Sequence, residues 1–232
     1  MNQFLFEILC IFVVFGIPFS VKVYNLKGWV FITFLGYFST ILDYIYFPYL
    51  KHNFILLEKN GFKKFYVWMI MLLNLILTNI LVGLIYYYVE FNSLKWYTSI
   101  QVLINMIITE VIFTLSHMLL HYSYVGAKLH LMHHCCKQAS WSTNLIFHPL
   151  DMAAEFSGPV LSVLLMHHYV WQNNATLILT VLIVHLWYAL DHSATLNLPH
   201  TKHHTHINTL FTIYVKKYYT FKSPELVKKM IK

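Results

Sequence analysis

Arginine is absent from this chain, since all sixteen basic residues are lysines. Bidentate guanidinium recognition of bases or phosphates is therefore excluded, and no nucleic-acid partner is expected. The formal charge of +7 at pH 7 reads instead as loop lysines that orient a chain in a bilayer and touch anionic headgroups. Cysteine is nearly absent too. Cys10 falls in an apolar run, and Cys135 and Cys136 stand beside a group of histidines, so the three make no disulfide framework. With 7 Gly and 6 Pro in 232 residues there are no flexible linkers, and one domain is expected. Charge of either sign is scarce: 11% of residues are charged, against about 25% in an ordinary soluble domain.

What fills the chain is apolar. Hydrophobic residues make up 58% of it and aromatics 18%, more than a soluble fold of this size could hide behind a polar surface. Apolar stretches run over Phe4–Val21, Trp29–Leu50, Tyr66–Val89 and Tyr97–Leu120, each near the roughly 20 residues that cross a hydrocarbon core. Their backbones must be helical in lipid. The first, which has Glu7 and no basic start, reads as a retained span or interfacial helix rather than a cleaved signal. Two further apolar pieces between Glu155 and Leu190, of about 12 and 16 residues by the length rule, are separated by His167–Asn174 and suggest a tight hairpin or a re-entrant pair. The expected fold is therefore an all-α integral membrane protein with about four transmembrane helices plus such a pair. Residues 1–96 would form N-terminal membrane helices, 97–220 the catalytic region and 221–232 a basic tail. The Lys51, Lys59, Lys63 and Lys64 loop places that side, both termini and all that follows the fourth span in the cytosol.

Fifteen histidines are present, and their spacing carries the chemistry. His117-x-x-x-His121 ends the fourth span, His130-x-x-His133-His134 follows, and His200-x-x-His203-His204 comes after the hairpin. Residues i and i+3 or i+4 share a helix face, so each box can aim two nitrogens at one metal. The adjacent member of an HxxHH box points about 100° away and can reach a neighbouring metal or an outer partner. Neutral imidazole suits iron, copper, nickel or zinc. His148, in HPLD, and His192, in DHS, are candidate further ligands. Glu110, Asp151 and Asp191 are candidates to orient imidazoles by accepting the distal N–H, and Glu110 also stands out as a carboxylate inside a span. His185 is a candidate ligand or substrate-side group. His52, His167 and His168 read as bystanders, and His206 is left open. Trp141, Trp187 and Tyr188 are candidate substrate-pocket residues.

The ordered set His117–His121, His130–His134, His148–Asp151, Asp191–Ser193 and His200–His204 resembles the fatty acid hydroxylase superfamily, which includes the sterol desaturases. The chain departs from that pattern at Met118, where arginine is frequent. The resemblance implies a cytosol-facing centre of two iron ions, held by His117, His121, His130, His133, His134, His200, His203 and His204, with His148 and His192 at matching positions. It also implies an oxygen-dependent hydroxylase or desaturase acting on a fatty acyl chain or sterol. A separate electron donor such as cytochrome b5 with its reductase, and residence in the endoplasmic reticulum or another intracellular membrane, follow from the same likeness. Two other classes stay open: a zinc-dependent membrane hydrolase or isomerase, and a non-enzymatic metal-binding or transport protein.

Overall fold

The computed structural model describes residues 2–13, 26–138, 140–193, 195, 196, 198, 200, 201 and 204. Among these the elements are all helical: α1 (Gln3–Ile11), α2 (Leu26–Tyr46), α3 (Pro48–Lys59), α4 (Lys64–Tyr88), α5 (Thr98–Tyr122), α6 (Tyr124–His134), a 3₁₀ turn (Trp141–Leu145), α7 (Pro149–Met166) and α8 (Asn174–Asp191). Five stretches are long and apolar enough to cross a membrane: 28–46, 64–85, 98–121, 149–171 and 174–191. This is an integral membrane protein. The expected first span is helical over Gln3–Ile11, and its remainder lies largely outside the described residues, as do Lys22, His206 and the tail 221–232.

Two boundaries differ from expectation for identifiable reasons. The second span ends at Tyr46, earlier than Leu50, because Pro48 forces the preceding Phe47 into extended backbone (φ −120°, ψ 142°) and opens a new helix. That helix, α3, buries Leu50, Asn53, Phe54 and Leu57, the i, i+3, i+4, i+7 stripe of a surface helix. The pair after the second box is also longer than its apolar pieces suggested. Pro149 at the first helical position starts α7 six residues before Glu155, and the helix continues through a π turn at His167–Trp171. Gln172 at φ 49° then reverses the chain into α8.

α5 is the central element, packing most extensively on α7 and then on α6 and α8. Leu103, Ile107, Val111, Leu115 and Leu119, four residues apart, are all more than half exposed, which is the lipid-facing stripe of a membrane helix. Its opposite face is polar and buried. Gln101 accepts from the Thr176 hydroxyl at 2.6 Å, and Asn105 donates to Thr180 at 3.2 Å and accepts from the Trp171 indole at 2.8 Å, so hydrogen bonds pin α8 to α5 where no water competes.

Two buried amides fix the loop that follows the second histidine box. The Asn53 amide on α3 accepts from the Gln138 backbone N–H and donates to its carbonyl, while the Asn74 amide on α4 donates to the carbonyls of Leu145 and Phe147 at 3.0 and 2.9 Å. Each such bond is worth about 1 kcal/mol net. Together they hold the loop against the bundle at the end where the helices carry their histidines.

Candidate metal centre

The C-terminal end of α5, all of α6, the N-terminal end of α7 and the C-terminal end of α8 meet at one end of the bundle. Ser123 is extended between α5 and α6, and its hydroxyl accepts from the Gly126 N–H at 2.9 Å, capping α6. Gly126 itself is required by proximity, since a Cβ there would lie 2.7 Å from the Leu120 backbone. This tight return lays His130, His133 and His134 beside His117 and His121.

Eight buried or nearly buried imidazoles form two groups of four. In the first, His117, His121, His130 and His134 bring one nitrogen each to within 4.8 Å of all the others; in the second, His133, His192, His200 and His204 do the same. His121 Nε2 lies 3.1 Å from His117 Nε2 and 3.2 Å from His134 Nε2. The groups sit side by side, with ring centroids 5.4 Å apart for His130 and His133 and again for His134 and His204. In both α6 and the third box the i and i+4 members stay together, while His133 diverges from His134 as the helical rotation of about 100° per residue requires.

The outer nitrogens are held by acceptors. His117 Nδ1 is 2.6 Å from Glu155 Oε1, and His130 Nδ1 is 2.9 Å from Asp151 Oδ2 and 3.5 Å from Glu155 Oε1. On the second group, His133 Nδ1 donates to the Ile146 carbonyl at 3.3 Å and His192 Nδ1 to the Tyr188 carbonyl at 3.0 Å. With their protons on Nδ1, His133 and His192 direct two bare Nε2 lone pairs at each other across 3.5 Å. Such a contact is repulsive without a cation to share, so the donor set fits a metal ion. Burial supports this by holding His133 well below the ordinary histidine range, with help from its imidazole neighbours, and His192 down to about 4, so both are neutral. Cys135 is pushed up to about 11 and Cys136 higher by burial, so both remain thiols and are poor metal ligands.

The remaining candidates fall in distinct places. His203 lies outside the described residues. His148 joins neither group; it is half-buried and caps α7, its Nδ1 accepting from the Leu150 N–H at 3.2 Å. Asp191 reaches His200 Nδ1 at 4.0 Å. Glu110 is buried two turns below His117, outside both groups. His52 is exposed, and His167 and His168 sit in the π turn that ends the α7 helix, away from its His148 start. Trp141 is buried in the core formed with α3 and α4, and Trp187 is half-buried. Glu155 was not among the residues singled out from sequence. Its signal was available, because it stands four residues after Asp151 on one helix face and is a lone carboxylate in an apolar run.

Below the histidine groups, toward the middle of the bundle, two adjoining, mainly apolar cavities share Leu81, Phe156, Val160, His185 and Tyr188. Phe113 separates them from the histidines, with its ring 4.8 Å from Tyr188, 5.7 Å from His117 and 6.3 Å from His200. No protein-family model, no curated protein and no solved structure matches the chain.

Proposed function

We propose that this protein is a membrane oxidoreductase in which two iron ions, one in each four-histidine group, drive oxygen-dependent hydroxylation or desaturation of a lipid C–H bond. The observation that carries the reading is the adjacency of a paired imidazole centre and an apolar cavity inside the membrane domain. A saturated C–H bond offers no proton that a side-chain base could remove, and iron with oxygen is the group that supplies cleavage of such bonds. The chain's own part is to hold and to exclude. Asp151, Glu155 and the carbonyls of Ile146 and Tyr188 fix the ring orientation of four imidazoles, and the aromatic wall of Phe113, Phe156 and Tyr188 keeps bulk water from the cavity side. His200 and His204 close the second group from the far side of the chain.

The resemblance in the order and spacing of the boxes supports the same reading. On it, the substrate is a fatty acyl chain, sterol or similar lipid, electrons come from a separate carrier such as cytochrome b5, and the centre faces the cytosol from an intracellular membrane such as the endoplasmic reticulum. The test is metal analysis of anaerobically purified protein, combined with lipid and sterol profiles of cells with and without expression. About two irons per chain and an oxygen-dependent product lost in His134→Ala support the proposal. One zinc per chain with oxygen-independent turnover would replace it with a hydrolase, and unchanged lipids with intact metal transport in His134→Ala would replace it with a carrier.

A further inference from the structure

The joined cavities are not uniform along their length. Their upper part, level with the loop that Asn74 clamps, is bounded by Thr78, Asn144, Met152 and Tyr188; their lower part by Ile85, Val163, Leu177 and Val181. On α8 the stretch from Tyr188 down to Leu177 covers about 17 Å at 1.5 Å per residue, and on α7 the stretch from Met152 to Leu164 covers about 18 Å. The two ends are thus separated by about the hydrocarbon depth of one leaflet. Among the described residues, nothing hydrogen-bonds the Tyr188 hydroxyl or Asn144 Oδ1, although both atoms are buried. Tyr188 is 5% exposed, and a hydroxyl left without a partner in such surroundings costs about 1–3 kcal/mol. Both residues line the upper cavity, which therefore holds one orphaned donor and one orphaned acceptor, against the single orphaned hydroxyl of Thr109 in the lower. The end they occupy is the one next to the histidines, because the Tyr188 ring packs on Phe113 and the Tyr188 carbonyl holds His192.

We infer that the cavity takes a lipid with its polar group uppermost. A hydroxyl or carbonyl is held by the Tyr188 hydroxyl and the Asn144 amide, the tail runs down toward Val163 and Leu177, and the carbon presented to the metal centre lies within a few bonds of the polar group. This deepens the proposed function by fixing the region of the substrate that is attacked, and it rests on that reading only for the word attacked. A lipid bound the other way would set its polar group against the lone Thr109 hydroxyl of the lower cavity and leave both the Tyr188 hydroxyl and Asn144 Oδ1 unsatisfied. Hydrogen bonding therefore sets the direction of entry, and apolar burial supplies affinity without choosing it.

The experiment uses the full chain in nanodiscs, metal-free and metal-loaded, and two photoreactive long-chain primary alcohols. One carries a diazirine beside the hydroxyl, the other at the methyl end, and labelled residues are located by peptide mass spectrometry. The first probe is expected to label around Asn144, Met152 and Tyr188, the second around Val163 and Leu177. In Tyr188→Phe the apparent affinity for the alcohol should fall about tenfold, the worth of one buried hydrogen bond, while that for the alkane of equal length stays unchanged. A reversed or indistinguishable labelling pattern, an absence of label in the cavity, or equal loss for alcohol and alkane would overturn the inference. Because labelling needs neither metal nor turnover, the two readings fail separately. Head-up labelling without any oxygen-dependent product removes the oxidation and leaves the orientation, whereas oxidation at the methyl end removes the orientation and leaves the oxidation.

Discussion

Glu155 is the residue whose replacement most directly tests the metal centre. Its Oε1 lies 2.6 Å from His117 Nδ1 and 3.5 Å from His130 Nδ1, and it is 1% exposed, so it orients His117 by hydrogen bonding and stands within ion-pair range of His130, which Asp151 holds. Glu155→Leu removes the acceptor altogether. A hydrogen bond to a charged group is worth about 1.5–3 kcal/mol, which at about 1.4 kcal/mol per decade lowers affinity at that position roughly 10- to 100-fold, the range for loss of a partner that orients a ligating histidine. Glu155→Gln keeps a neutral acceptor about half as strong and should lie near the lower end. The metal-free protein should respond with the opposite sign. Asp151 and Glu155 are both buried and share His130, so without a metal they carry a desolvation and like-charge cost that leucine lacks, and the metal-free fold should hold or gain stability. Cobalt titration of nanodisc-embedded protein against a chromophoric chelator gives the affinity, and thermal unfolding of the metal-free protein followed by circular dichroism gives the second quantity. If Glu155→Leu binds cobalt as tightly as the unmodified chain while its metal-free form melts earlier, Glu155 is a packing residue and the reasoning fails.

His121→Ala and His192→Ala each remove one candidate ligand from a different group, and each should lower metal content from two toward one per chain by elemental analysis; loss of both metals in each variant would show that the groups do not bind separately. His148→Ala should leave metal content unchanged and cost about 1 kcal/mol of stability through loss of the α7 cap, seen as a lower melting temperature; loss of metal would place His148 among the ligands. Burial holds His133 well below its ordinary value of 6.5 and His192 down to about 4 in the folded state. Protons therefore favour the unfolded chain below about pH 6.5, and the metal-free protein should be fully stable above that pH and lose stability progressively as pH falls toward 4. Tryptophan fluorescence during denaturant titration follows this, and a stability independent of pH across that window would contradict it.

The parts of this fold legible in sequence are those written as local periodicity. The runs around Trp29, Tyr66 and Tyr97 announce α2, α4 and α5 because lipid selects length and apolarity along one segment. The box spacings likewise announce pairs such as His117 with His121 and His200 with His204, because an α-helix sets which residues share a face. What was not legible depends on contacts between segments. Glu155 looks like an isolated carboxylate until α7 is laid against α5, and Asn53 and Asn74 look like ordinary polar residues until the backbone of residues 138–147 supplies their partners. His148 shows the converse. Its place in HPLD suggested a ligand, yet the proline that follows it starts a helix and turns the imidazole into a cap.

Charge balance explains why these carboxylates belong where they are. Two divalent ions among neutral imidazoles would bring four positive charges into surroundings that solvate them poorly, and no imidazole would offset any of it. Asp151, Glu155, Asp191 and Glu7, each at most 1% exposed, are carboxylates placed to do so. They are divided between the groups: Asp151 and Glu155 bear on the first through His130 and His117, whereas the second has Asp191 at 4.0 Å from His200, Glu7 accepting from the Ser193 hydroxyl at 2.6 Å beside His192, and backbone carbonyls on His133 and His192. An ion held by the first group would have two carboxylates directly behind its imidazoles, and one held by the second would be compensated through His200 by Asp191 and, past Ser193, by Glu7. The two groups thus differ in the residues behind them although each has four imidazoles, and Phe113, in contact with both His117 and His200, stands between the cavities and the seam where the groups meet.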